Sequence, residues 1–158
     1  MSGRVRASRT AEGGFSLFEL VVVLMIIAIA SGLAAPGIQS GWRAREVRTG
    51  TRALAAVMRG LRERAVRRGA EQELVIDADG QTYRWTGEQQ ATLPGGAAVT
   101  GIRGGWRDQD GGARLVFYPN GGSSGIAVVV GQQDGDGSSF TIRVDPLLGT
   151  VVIRDATT

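Results

Sequence analysis

The sequence predicts an α+β protein whose N-terminal third is helical and whose remainder is an antiparallel β domain of two sheets. Three observations predict it. Residues Phe15 to Ala35 form an almost unbroken apolar run, and from about Gln39 to Arg68 apolar residues recur at helical spacing. After Gly69 the pattern changes to short strands separated by glycine-rich or aspartate-rich turns. The chain has 158 residues, enough for one core of ordinary size. Its 25 glycines cluster at the turns and follow no Gly-X-Y period.

The first fourteen residues carry Arg4, Arg6 and Arg9 with Glu12, a short basic leader of the kind that stays in the cytoplasm. The apolar run that follows has 21 residues and one charge. At 1.5 Å per residue it reaches about 31 Å, the apolar thickness of a bilayer. A secretory signal peptide cut after the Ala28-x-Ala30 pair, or a plain signal anchor, would read similarly. Charge does not orient the run, because the leader is +2 and Arg43, Arg45, Arg48 and Arg52 against Glu46 give +3 beyond it. Both readings leave Glu19 unexplained, since an acid inside an apolar segment costs about 2.5–3.5 kcal/mol unless it meets a cation. Ala28 with Gly32, and Ala30 with Ala34, are spaced to let a second helix approach closely.

Pro36 would normally bend or end a helix. Beyond it Val47, Leu54, Val57 or Met58, Leu61 and Ala65 step by seven, three and four, so helix resumes as far as Arg68. The opposite face carries Arg43, Arg45, Arg48, Arg52, Arg59, Arg62, Arg64, Arg67 and Arg68. That face is a solvated one, or a surface for acidic headgroups or neighbouring subunits. Gly41, Gly50 and Gly60 lower helix propensity and imply local flexibility.

Seven strands are expected in the second part: Glu73–Ala78, Gln81–Thr86, Ala97–Ile102, Arg114–Tyr118, Ile126–Val130, Phe140–Val144 and Thr150–Arg154. The first two flank Asp79-Gly80, a strong hairpin signal. Seven strands at this spacing suit two packed sheets, with the apolar stripe of the helix covering a face or edge.

Little catalytic chemistry is available. The chain has no histidine and no cysteine, and all 18 basic residues are arginine. That removes the imidazole base, the thiolate nucleophile, the lysine Schiff base and N/S-ligated metal sites, so no enzymatic activity and no cofactor are expected. Gly121-Gly122-Ser123-Ser124-Gly125 fits the G-x-S-x-G nucleophile elbow in form alone, because it joins strand to strand and lacks a base. Asp134-Gly135-Asp136-Gly137-Ser138 has part of a calcium loop's ligand pattern. Arg143 stands where the bidentate Glu belongs, so a turn is the expectation and no metal is assigned. Residues 1–68 hold 12 Arg against four Glu, net +8, while residues 69–158 are net −5. The acidic second part argues against nucleic acid as a partner.

Gly13-Gly14-Phe15-Ser16-Leu17-Phe18-Glu19-Leu20 with its aliphatic continuation resembles the class III signal of type IV pilins and type II secretion pseudopilins. The resemblance implies cleavage between Gly14 and Phe15 by prepilin peptidase and methylation of the new Phe15 amino group. It also implies that Glu19 meets the cationic amine of a neighbouring subunit. In that family a proline such as Pro36 kinks one long helix without ending it, giving a single helix of about fifty residues. Phe117-Tyr118-Pro119-Asn120-Gly121-Gly122-Ser123-Ser124-Gly125 and Val144-Asp145-Pro146-Leu147-Leu148-Gly149-Thr150-Val151 resemble two motifs of the GspH/FimT-like minor pseudopilins, with Asn120 replacing Asp and Leu148 replacing Thr. Residues 69–112 carry no placed motif. The implied organisation is a leader at 1–14, a transmembrane half-helix at 15–35, its amphipathic continuation at 36–68 and a periplasmic β domain at 69–158. The implied function is that of a minor pseudopilin near the tip of a secretion pseudopilus, anchored in the bacterial inner membrane. Its partners would be other pseudopilins and prepilin peptidase, with no small-molecule substrate. The alternative is a FimT/FimU-like minor pilin that primes type IV pilus assembly, a role that can extend to DNA uptake.

Overall fold

The computed structural model of the chain describes residues 16–86, 89–107, 110–134 and 137–156, with backbone alone for 32–41. The chain divides into two compact units, the first ending at Ile38 and the second running from Gln39 to Thr158.

Helix α1 spans Leu17–Arg68, 52 residues, and its helical backbone continues through Pro36. It starts where the Ser16 hydroxyl accepts a hydrogen bond from the Glu19 N–H at 3.2 Å. It ends at Gly69, whose φ of 62° supplies the left-handed residue that releases a helix, with Arg67 and Arg68 favourably placed in the last turn. In the first unit Leu17, Phe18, Leu20 and the aliphatic side chains through Ile29 are exposed. Among the described residues no helix is long and apolar enough to cross a membrane.

The second unit has nine strands: β1 Gln72–Ile76, β2 Thr82–Trp85, β3 Gln89–Thr92, β4 Ala97–Gly104, β5 Trp106–Arg107, β6 Ala113–Phe117, β7 Ile126–Gln132, β8 Phe140–Val144 and β9 Val151–Asp155. They form two antiparallel sheets, β3-β2-β1-β6-β5 and β4-β7-β8-β9. Two sheets were expected, but with seven strands. The extra ones, β3 and β5, are short, and β3 is polar, so neither shows alternation. The hairpin at Asp79-Gly80 is looser than a two-residue turn: Ile76 pairs with Tyr83, and the Asp79 carboxylate accepts from the N–H groups of Gln81 and Thr82.

One buried cluster joins α1 to both sheets. Val47, Leu54, Ala55, Met58, Leu61 and Ala65 of α1 are fully buried. They meet Leu74, Ile76, Leu115 and Phe117 of the first sheet and Val128, Val130, Ile142 and Val144 of the second. Helical recurrence and strand alternation therefore converge on a single core. Gly50 is buried in the same stripe, and a Cβ there would approach Pro94 Cδ to 3.1 Å and Leu93 Cδ2 to 3.2 Å. Its lack of a side chain permits this close packing.

Candidate functional site

Two regions hold the residues singled out from sequence. The first is the helix start. Gly14 and Phe15 lie outside the described residues. Glu19 is in the first turn of α1, exposed, where a carboxylate favours the positive end of the helix. Ser16 and Glu19 stand in the S-x-x-E order of a capping box, and the Ser16 half of that box is formed. This local role of Ser16 was legible in the sequence and was missed. Large apolar side chains exposed on every side surround the single carboxylate: Leu17 is 81% exposed, Phe18 76% and Met25 64%. A helix apolar all round is one that another phase or another chain covers.

The second region is formed by the two glycine loops, which the fold brings into contact through residues as far apart in sequence as Ser123 and Asp145, 22 positions. Ser123 N–H donates to the Pro146 carbonyl and Ser123 Oγ to the Asp145 carbonyl, both at 2.9 Å. The same Oγ accepts from the Gly125 N–H at 3.1 Å. Ser123 is buried and fully engaged, so it has neither a base nor access. A Cβ on Gly149 would collide with the Gly121 carbonyl oxygen, and Gly149 has a φ of 60°. Arg62 closes the junction from the helix: its Nε donates to the Leu148 carbonyl at 2.9 Å and the Gly121 carbonyl at 3.3 Å. Arg62 is thus not a member of a purely solvated face, as helical spacing implied, but a half-buried clamp between α1 and both loops. Arg59 adds a bond to the Val151 carbonyl at 3.4 Å.

The model of the type II transport protein GspH matches residues 50–148, which include this junction, and the prokaryotic N-terminal methylation motif matches residues 9–35. The chain belongs to the GspH family. It is 33% identical over 114 residues to the type II secretion system protein H of Xanthomonas campestris pv. campestris, covering 71% of this chain and 67% of that protein. The minor pseudopilin EpsH of Vibrio cholerae shares the fold with a TM-score of 0.58 at 13% identity, covering 72% of this chain and 99% of that one. The type IV minor pilin FimU of Pseudomonas aeruginosa gives 0.52 at 13% identity, covering 70% and 89%. As a GspH-family member with the methylation motif, this chain is a type IV pilin-like minor pseudopilin of type II secretion.

Both departures from the GspH motifs fall where only generic chemistry is used. Asn120 Oδ1 accepts from the Gly122 N–H at 3.0 Å, the turn contact an aspartate would make. Leu148 contributes its backbone, donating to Asp145 Oδ1 at 2.9 Å and accepting from Arg62. In this chain the two glycine motifs therefore form a structural joint. Of the candidate calcium loop, Asp134 lies in the turn after β7, while Gly135 and Asp136 lie outside the described residues. Among the described residues no group of three or more acidic side chains is placed to hold a metal ion.

Proposed function

We propose that this chain is cut by prepilin peptidase between Gly14 and Phe15, methylated on Phe15, and held in the bacterial inner membrane with its β domain in the periplasm. From there it enters the tip of a pseudopilus that helps export folded proteins. It acts by helix packing and not by catalysis. Glu19 offsets the charge of a neighbouring subunit's amino terminus inside the apolar bundle. The observation that carries this reading is the all-round exposed apolar start of α1, with one carboxylate in its first turn. Such a surface is covered by lipid before assembly and by neighbouring helices after it.

Intact mass of the membrane-extracted protein tests the first step: residues 1–14 should be absent and one methyl group present on Phe15. A mature start after Ala30 or Ala35 would mean an ordinary signal peptide and end this reading. A second reading, a minor pilin of a type IV pilus, draws on the FimU likeness. Neighbouring secretion genes support the first reading, and neighbouring pilus genes support the second.

A further inference from the structure

The outer face of the second sheet carries a basic groove that neither glycine motif uses. Pairing across β4, β7, β8 and β9 places Arg103, Ala127, Arg143 and Val152 in one row. The next row is Gly101, Val129, Thr141 and Arg154. Val128 and Ile142 between these rows are fully buried, so the two rows face outward. The result is a groove of about 980 Å³ whose floor of Gly101, Ala127 and Val129 is small and apolar and whose sides carry Arg103, Arg143 and Arg154. Asp155 is the one acid that lines it.

The three arginines pair with no carboxylate among the described residues. On the first sheet, by contrast, Arg84 lies 2.9 Å from Asp77 and Arg114 lies 3.4 Å from Glu73. A part of the chain that is net −5 thus gathers in one depression three guanidinium groups that meet no carboxylate among the described residues. Arg103 and Arg143 are two strands apart, about 10 Å. Arginine side chains are long enough to carry planar guanidinium forks from this spacing onto same-face carboxylates that recur about 7 Å apart along an extended chain, laid over a floor with little side-chain bulk. No aromatic side chain lines the groove for base stacking, and the surrounding negative charge opposes a long polyanion more than a short acidic segment.

We propose that this groove docks an acidic polypeptide segment of another protein, with Arg103, Arg143 and Arg154 as its carboxylate contacts. The test uses the full chain in detergent and a fluorescein-labelled ten-residue peptide of alternating Glu and Val. Controls are the Lys-for-Glu peptide and a labelled 20-base-pair DNA duplex. The Glu peptide should bind, binding should weaken with salt, and R103Q/R143Q/R154Q should weaken it at least tenfold. R84Q/R114Q, which removes only paired arginines, should change it less than twofold. Far-ultraviolet circular dichroism and urea midpoints check folding, with R143Q alone, expected to weaken binding at least threefold, replacing the triple variant should that unfold. Absence of binding to the Glu peptide, equal losses in both arginine sets, or tighter binding of the duplex would each overturn the proposal, the last by assigning the groove to nucleic acid.

Discussion

From Leu17 to Ile29 the side chains of α1 are exposed on every side, whereas from Val47 to Ala65 one stripe of the same helix is sealed against two sheets. The first stretch is far more apolar, yet it is the second that is buried. What decides burial is arrangement: a stripe can be covered by one domain, while a cylinder apolar all round needs surroundings on all sides. The second stretch therefore reports the stability of this chain, and the first reports what the chain joins.

Substitutions of like chemistry in the two stretches separate these roles. The largest effect is expected for Glu19→Leu: under the proposed pairing with a neighbouring subunit's amino terminus, it removes one partner of a pair buried on assembly and should cost assembly about 3–5 kcal/mol. Membrane insertion and the unfolding of the β domain should be unaffected. Co-purification with the other pseudopilins, with secretion in cells lacking the wild-type copy, measures it; unchanged complexes and secretion would show that Glu19 has no pairing role. Next, Leu54→Ala should lower stability by about 2–5 kcal/mol through the cavity left at a fully buried site. Leu24→Ala, at a site 57% exposed, should leave the urea midpoint unmoved. Equal shifts in the two would erase the contrast between the stretches.

A smaller pair sharpens the comparison within the buried stretch. A Cβ on Gly60 would meet only the Arg64 guanidinium, at an ordinary contact distance of 3.6 Å, so Gly60→Ala should stabilise by about 0.8–1 kcal/mol. Gly50→Ala meets Leu93 and Pro94 and should lose that gain, ending less stable than wild type in thermal unfolding. The smallest expected effect is alkaline. Burial raises the Tyr83 hydroxyl above its ordinary value, so above pH ~10 the folded chain holds a proton that the unfolded chain has released. Stability is then intact below pH ~10 and falls as pH rises through the folded value. The chain has no lysine or cysteine to titrate in that window. Urea midpoints across it should decline, and Tyr83→Phe should flatten the decline.

Much of the scaffold was legible because it is locally written. The recurrence of Val47, Leu54, Met58, Leu61 and Ala65 named the buried face of the helix, and alternation in Leu74, Ile76, Val128 and Val130 named strands, since both follow from the period of the backbone itself. The Asp79 and Asn120 turns were visible for the same reason: their side chains bond N–H groups two or three residues away. The polar β3 and the two-residue β5 were not visible, because pairing alone makes them strands.

The sequence by itself determined the helix, its apolar start with Glu19, the buried stripe, most strands and the absence of histidine, cysteine and lysine, all through neighbours one to four residues apart or through composition. Only the tertiary structure decided that Ser123 is locked against Asp145 and Pro146, that Arg62 clamps both glycine loops, and that Arg103, Arg143 and Arg154 share one groove. The physical reason is register. Residues 40 positions apart become neighbours only when strands pair, and the pairing is chosen by what the opposite face of each strand buries.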